Sequence, residues 1–270
     1  MTAMSRHPTP LRLLLLALAA VTLVGCGVGS SKHSGSSSGG GAGSGETGTL
    51  TVLGAASLTG TFTTLAHDFE AAHPGVRVRL AFDSSATLAD QVNQGAPADV
   101  LATADQSTMS TVVDHKGTAG APRLFATNHL QLVVPRRNPA HLTRFADLSK
   151  PGVRYVVCVA TAPCGKLAAS VLQATGLTAK PASEEVDVKA VLSKVQLDEA
   201  DAGLVYATDA VSGGAKVTAI DIPTAGQNLT SYPIAVLKEA TQPTLATAFV
   251  DLVLSGRGRT VLADAGFGKP

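Results

Sequence analysis

Two serines lie at junctions where an apolar stretch gives way to a helical pattern. Ser57 lies in Val52-Leu53-Gly54-Ala55-Ala56-Ser57-Leu58 and Ser85 in Phe82-Asp83-Ser84-Ser85-Ala86-Thr87-Leu88. The first N–H groups of a helix lack intrahelical acceptors, and the helix dipole adds partial positive charge beside them. Two such ends in one crevice can hold a small oxyanion without lysine or arginine. The residues alone leave a second interpretation open, in which each serine only caps its own helix.

The composition does not indicate nucleic-acid or metal binding. The 270 residues include 21 Lys and Arg against 20 Asp and Glu, a formal net charge of +1, so no basic field favours a nucleic acid. The seven histidines are scattered, and none forms a pair at the spacing of metal ligands. Aromatic residues make up 4% of the chain. Because the anchors of protein interfaces are often aromatic, this composition does not favour a scaffold that binds another macromolecule.

A catalytic role for Ser57 would require a general base within hydrogen-bond range. The nearest histidine in sequence, His67, lies on a different stretch of helix, and His129 and His141 are far along the chain. A serine-dependent hydrolase stays an alternative, but the sequence favours a binding protein that is not an enzyme.

The N-terminal segment has the features of an export signal. Basic residues precede an apolar run, residues 13–23, that is short for a membrane span. Leu23-Val24-Gly25-Cys26 resembles a bacterial lipobox, which predicts a signal peptide over residues 1–26 and lipidation of Cys26. Residues 27–48 are rich in Gly and Ser, which indicates a flexible tether. We therefore expect a protein that is lipid-anchored to the cell membrane on its extracytoplasmic face; a plain secretory signal is the alternative.

After the tether, strands and helices alternate as in an α/β protein. The predicted strands cover residues 50–53, 76–82, 98–103, 129–135, 153–159, 203–206, 217–222 and 232–237, and the predicted helices cover 61–72, 87–94, 106–115, 167–175, 188–195, 244–254 and 257–265. If the last segment returns to the first, the chain crosses twice, near Asn128 and near Ser231, and two crossovers make a hinge. The pattern therefore predicts two lobes, one of residues 49–128 with 232–270 and one of residues 129–231.

Several short stretches resemble a known family. They are Ala55-Ala56-Ser57-Leu58, Ser84-Ser85-Ala86-Thr87-Leu88-Ala89-Asp90-Gln91, Gly95-Ala96-Pro97-Ala98-Asp99-Val100, Gly203-Leu204-Val205-Tyr206-Ala207-Thr208-Asp209-Ala210 and Tyr232-Pro233-Ile234-Ala235. Their order and spacing resemble the molybdate-binding components of bacterial ABC importers. The resemblance implies a two-lobed α/β fold like that of type II periplasmic binding proteins, with molybdate or tungstate as ligand and a permease and its ATPase as partners. We expect a monomer that uses no cofactor.

The resemblance also implies which residues contact the oxyanion. Ser57 and Ser85 match two serines that offer a hydroxyl and an N–H, and Tyr206 matches a tyrosine that offers its hydroxyl. Val188 and Cys164 match positions that offer only a backbone N–H, although Cys164 stands where the family usually has alanine. In this interpretation molybdate contacts all five residues. The alternatives are that Tyr206 only packs at an interface and that Val188 is an ordinary helix core residue.

A site made only of donors suits a tetrahedral dianion that carries no proton. The proton of phosphate would lack an acceptor there, at a cost of roughly 1 to 3 kcal/mol. Molybdate, tungstate and sulfate carry no such proton, so a carrier of sulfate or another tetrahedral oxyanion stays an alternative. Asp83 departs from the family pattern, and we expect it to be a solvated loop carboxylate.

Two cysteines other than Cys26 lie in the body of the chain. Cys158 and Cys164 are six positions apart, and the export signal indicates an oxidising compartment, so we expect them to form a disulfide. Such a bridge would hold the Cys164 amide in place and lower the ordering cost of binding. Two free thiols are the alternative.

Overall fold

The computed structural model describes residues 47–270. The predicted signal peptide, the lipidation site Cys26 and nearly all of the predicted tether lie outside the described residues. The strands are β1 (Gly48–Ala55), β2 (Val76–Asp83), β3 (Val100–Ala102), β4 (Arg123–Pro135), β5 (Tyr155–Cys158), β6 (Ser183–Glu185), β7 (Ala202–Tyr206), β8 (Val217–Ile220) and β9 (Leu229–Val236). The α-helices are α1 (Thr59–Ala72), α2 (Ser85–Asn93), α3 (Gln106–Asp114), α4 (Pro163–Thr175), α5 (Val188–Gln196), α6 (Ala207–Gly213), α7 (Pro243–Leu254) and α8 (Gly256–Asp264).

The strands form one mixed sheet with the order β2-β1-β3-β9-β4-β7-β5-β6, and β8 pairs with β4. Strand β1 runs parallel to β2 and β3, and β5 runs parallel to β6 and β7. Parallel strands have their carboxyl ends at the same edge, so the loops that follow β1, β2 and β3 share one edge. The loops that follow β5, β6 and β7 share another.

The long strands β4 and β9 join the two parallel groups. They pair antiparallel over residues 123–129 and 229–234, and the remainder of β4 pairs with β7 and β8. The predicted crossover positions, Asn128 and Ser231, lie inside this pair of strands. The division into two lobes about a hinge stays a prediction.

Close packing sets the position of α5. A Cβ atom on Gly203 of β7 would lie 2.8 Å from Val191 and 2.9 Å from Val195, two valines on the buried face of α5. The glycine therefore lets the helix lie directly on the strand, which places its first residue, Val188, at the edge where β6 and β7 end. No helix within residues 47–270 combines the length and the apolar character needed to cross a membrane.

Candidate functional site

One pocket brings together all five residues that the sequence assigns to ligand binding. Its wall consists of Ala55, Ala56, Ser57, Asp83, Ser84, Ser85, Ala104, Pro163, Cys164, Asp187, Val188 and Tyr206. The space inside the pocket measures about 10 Å³, which is far below the roughly 300 to 1,000 Å³ typical of pockets for organic ligands. Its size therefore suits a small ion.

The wall is built from the carboxyl ends of the two parallel strand groups. On the first side it follows β1, β2 and β3; on the second side it includes the start of α4, the start of α5 and the end of β7. Ligands of open α/β sheets bind outside the carboxyl ends of the strands, where helix N-termini converge. The chain order therefore explains why residues more than a hundred positions apart meet here.

Several backbone N–H groups at the wall belong to the first turns of helices. Ser57 lies in the short 3-10 turn Ala56–Leu58 that joins β1 to α1, and Ser85 and Val188 are the first residues of α2 and α5. Such amides lack intrahelical acceptors. At α5, the side chain of the preceding Asp187 accepts from the amide of Ala190 at 2.8 Å, so the cap uses the third amide of the helix rather than the first.

The two serine hydroxyls do not cap their own helices. The residue that precedes α2 is Ser84, and its side chain makes no capping hydrogen bond. Ser85 Oγ instead accepts from the backbone N–H of Ala104 at 2.9 Å. Ser57 Oγ lies 3.0 Å from Tyr232 Oη, a tyrosine rather than the histidine that a nucleophilic serine would need. The capping interpretation is therefore wrong.

Tyr206 places an unpaired hydroxyl at the pocket. The residue is 1% exposed, and its Oη has no hydrogen-bond partner among the described residues. Burial, reinforced by the neighbouring Tyr232, Asp105 and Asp209, raises the pKa of this hydroxyl well above its usual value, so it is a neutral donor. Packing explains the ring, which lies 6.0 Å from that of Tyr232 in a T-shaped arrangement. It does not explain a buried hydroxyl without a partner, which costs roughly 1 to 3 kcal/mol.

A disulfide joins the end of β5 to the first turn of α4. The structure pairs Cys158 with Cys164, with their Cα atoms 5.7 Å apart. The next residue, Gly165, lies against the backbone after β5, and a Cβ there would come within 1.9 Å of the Val159 carbonyl oxygen. The bridge and the glycine together hold the Cys164 amide at the pocket wall.

The charged residues of the wall are carboxylates. Asp83 and Asp187 line the pocket, and no lysine, arginine or histidine of residues 47–270 does so. Asp83 is half-buried, and its Oδ1 accepts from the Ser84 N–H at 2.6 Å, so the expectation of a solvated loop carboxylate is wrong. In the described part of the chain no cluster of His, Cys, Asp and Glu could hold a metal ion.

A lysine connects the two sides next to the pocket. Lys166 on α4 donates from Nζ to Asp105 Oδ2 at 3.0 Å, to Ser107 Oγ at 2.9 Å and to Thr108 Oγ1 at 3.2 Å. Its three partners lie at the start of α3, directly after the wall residue Ala104. This contact holds the two sides in the arrangement that encloses the pocket.

Sequence reasoning misses two groups that support the serines. The pattern assigns Tyr232 only to a strand and gives no role to the Ala104 amide. A signal for Tyr232 exists, because a buried tyrosine in an apolar strand usually has a partner for its hydroxyl. No side-chain signal exists for the Ala104 amide.

The chain is similar to several known proteins. The model of the bacterial extracellular solute-binding protein family matches residues 50–268. Molybdate-binding protein ModA of Mycobacterium tuberculosis is 45% identical over 222 residues, which cover 82% of this chain and 85% of that protein. Molybdate-binding protein ModA of Escherichia coli is 34% identical over 232 residues, covering 82% and 89%.

The solved structures include similar folds. The periplasmic molybdate-binding protein of Azotobacter vinelandii matches with a TM-score of 0.73 at 20% identity, over 82% of this chain and 99% of that one. This likeness confirms the predicted α/β fold of a periplasmic binding protein. The family match spans nearly all of the described residues, so the chain belongs to the bacterial extracellular solute-binding proteins.

Proposed function

We propose that this chain captures molybdate, or tungstate, in the pocket and delivers it to the permease of an ABC transporter. The observation that carries the proposal is the Tyr206 hydroxyl, which is buried at the pocket wall, neutral and without a partner among the described residues. An anion that accepts from this hydroxyl would remove the cost of leaving it unpaired. Relatives named for molybdate binding share 45% and 34% identity with the chain, which supports this choice of anion.

The proposed contacts are all neutral donors. Ser57 and Ser85 donate their hydroxyls and backbone N–H groups, Cys164 and Val188 donate backbone N–H groups, and Tyr206 donates its hydroxyl. Helix N-termini supply partial positive charge at three of these positions. The two wall carboxylates already accept from backbone amides, Asp83 from Ser84 and Asp187 from Ala190. They therefore hold the wall segments in position while remaining near the anion.

Capture in this proposal proceeds by closure. The first lobe, residues 49–128 with 232–270, and the second lobe, residues 129–231, move about the paired strands β4 and β9 and enclose the anion between them. The closed form is the one that the permease recognises, and the transporter's ATPase drives release. A lipid on Cys26 anchors the monomer outside the cytoplasmic membrane. The role is binding and delivery, with no catalysis and no cofactor.

Calorimetric titration of the purified full-length chain with molybdate, tungstate, sulfate and phosphate tests the proposal. We expect tight binding of molybdate and tungstate, weaker binding of sulfate, and phosphate weakest. Ser85→Ala should weaken molybdate binding, whereas Ser170→Ala, at an exposed serine of α4, should not. Equal binding of sulfate would identify a general oxyanion carrier instead, and failure to bind any of the four ions would refute the proposed site.

A further inference from the structure

We infer that Asp209, a buried carboxylate behind the pocket, limits the affinity for the anion, and that its partner Lys189 cancels most of this repulsion. The inference rests on the proposed function and identifies two further residues that set how tightly the pocket binds. Neither residue lines the pocket. Lys189 acts through Asp209, so it is a positioning residue rather than a ligand contact.

Asp209 lies close behind the proposed ligand contact Tyr206. Tyr206 is the last residue of β7, and Asp209 is the third residue of α6, which follows directly. Asp209 is 0% exposed, so its charge is poorly screened by water and salt. Burial raises the pKa of the Tyr206 hydroxyl, and the charge of Asp209 raises it further. An uncompensated carboxylate at this position would therefore also repel an anion that accepts from this hydroxyl.

Lys189 supplies the compensating charge from the neighbouring helix. It is the second residue of α5, next to the proposed contact Val188, and its Nζ lies 2.7 Å from Asp209 Oδ1. The same Nζ donates to Ser212 Oγ at 3.1 Å, which holds the ammonium group against α6. The pair carries no net charge, so the anion faces a neutral pair instead of a carboxylate.

Other carboxylates around the pocket also have a positive partner. Asp105 lies 3.0 Å from Nζ of Lys166. The wall carboxylates Asp83 and Asp187 accept from backbone N–H groups instead. Asp209 is more deeply buried than these residues, so its charge depends most strongly on a counter-ion.

The titratable groups that act on Asp209 come from three directions. Burial raises the pKa of its carboxyl, Lys189 lowers it, and Asp187 before α5 raises it. The hydroxyls of Tyr206 on β7 and Tyr232 on β9 lie within range of its charge. Burial raises the pKa of both hydroxyls, so they stay protonated at pH 9.

Other charged side chains on the elements that pack against α6 are directed elsewhere. Two are in ion pairs of their own, Lys194 of α5 with Glu185 and Arg123 of β4 with Asp251. His129 follows Asn128, whose side chain contacts α6, so His129 points to the opposite face of β4. Lys216, after the end of α6, is exposed. Compensation of Asp209 therefore depends on the lysine at the start of α5.

Substitutions of the two partners should change the molybdate Kd in opposite directions. Asp209→Asn leaves Lys189 as an uncompensated cation, so the Kd should fall by roughly threefold or more. Lys189→Met leaves the carboxylate without a partner, and burial then favours its protonated form. The Kd of this variant should match that of the unaltered chain at pH 6. At pH 9, where the carboxyl has lost its proton, the Kd should be about tenfold higher or more.

The measurement is calorimetric titration of the full-length chain with molybdate at pH 6 and pH 9, with folding checked by circular dichroism. Each variant is compared with the unaltered chain at the same pH, which cancels the titration of other groups. The double variant Lys189→Met with Asp209→Asn carries neither charge and should bind like the unaltered chain at both pH values. A merely structural role of the pair predicts instead that all three variants bind more weakly.

Lys194→Met is the matched control. It removes a lysine from the same helix and breaks an ion pair of the same length, 2.7 Å, with Glu185, which does not line the pocket. This control should leave the molybdate Kd unchanged at both pH values.

The outcomes separate the inference from the proposed function. If the unaltered chain does not bind molybdate, the proposed function fails. If it binds molybdate and Asp209→Asn does not bind more tightly, only the inference is wrong. An unchanged Kd of Lys189→Met at pH 9 also overturns the inference, because Lys189 would then compensate nothing. Should Lys189→Met not fold, Asp209→Asn decides alone, since asparagine has the shape of aspartate and the partly exposed lysine stays in place.

Discussion

Replacing Tyr206 with phenylalanine should weaken the binding of molybdate. The ring can keep its T-shaped contact with Tyr232, and only the hydroxyl at the pocket wall is lost. In the complex the same hydroxyl donates to a charged oxygen, an interaction of about 1.5 to 3 kcal/mol. Its loss corresponds to an increase in Kd of roughly 10- to 150-fold.

The matched control is Tyr155→Phe. The Tyr155 hydroxyl is satisfied by the Ala179 carbonyl, so its removal should lower the free energy of unfolding by about 0.5 to 1.5 kcal/mol. Tyr155 lies outside the pocket wall, and the molybdate Kd should not change. The two variants delete the same atom from the same residue type, and only Tyr206→Phe should raise the molybdate Kd.

Calorimetric titration with molybdate measures the Kd of both variants, and urea unfolding checks that both are folded. The reasoning is refuted if Tyr206→Phe binds molybdate as tightly as the unaltered chain. It is also refuted if Tyr155→Phe raises the molybdate Kd as much as Tyr206→Phe does, because the effect would then not come from a hydroxyl at the pocket wall.

Three further predictions concern the supports of the pocket. Lys166→Ala removes the link to Asp105 and should weaken molybdate binding by up to about fivefold, since exposed ion pairs contribute about 0.2 to 1 kcal/mol. The control Lys194→Ala breaks an ion pair with Glu185 that lies on one side of the pocket, and it should leave the molybdate Kd unchanged. Gly165→Ala places a Cβ 1.9 Å from the Val159 carbonyl oxygen, so it should displace the Cys164 amide and abolish tight binding of molybdate. The control Gly60→Ala, whose added Cβ has no atom within 4 Å, should bind molybdate normally. Burial raises the pKa of both Tyr206 and Tyr232. The unfolded chain therefore releases these protons first, so urea midpoints should fall above about pH 10, and a pH slope unchanged in Tyr232→Phe would contradict this assignment.

The helix starts at the site could be predicted from the sequence because local patterns determine them. A change from strand to helix periodicity places Ser57, Ser85 and Val188 at the beginnings of helices. The structure brings these three positions to one pocket, since each follows the carboxyl end of a strand. Cys164 and Tyr206 could be assigned only through family resemblance, because no periodicity shows which amide or hydroxyl faces a ligand.

Several element boundaries could not be predicted for identifiable reasons. Strand β4 begins at Arg123 rather than at residue 129, because the polar residues Thr127 and Asn128 interrupt the apolar pattern of the strand. Helix α4 begins at Pro163 rather than at residue 167, although proline in the first turn is a known signal for a helix start. Strand β6 and helix α6 are too short for their periodicity to be recognised.

The hydrogen-bond network behind Ser57 is beyond sequence reasoning for a different reason. Its partners are 175 residues apart at Ser57 and Tyr232 and 104 apart at Tyr232 and Asn128, so only the pairing of β4 with β9 and of β9 with β3 brings them together. The wall carries no lysine or arginine among the described residues and includes the carboxylates Asp83 and Asp187. An anion is therefore held there by hydroxyls, backbone amides and helix N-termini, which must outweigh the repulsion from these carboxylates. The strength of binding then depends on how the segments behind the wall direct those donors.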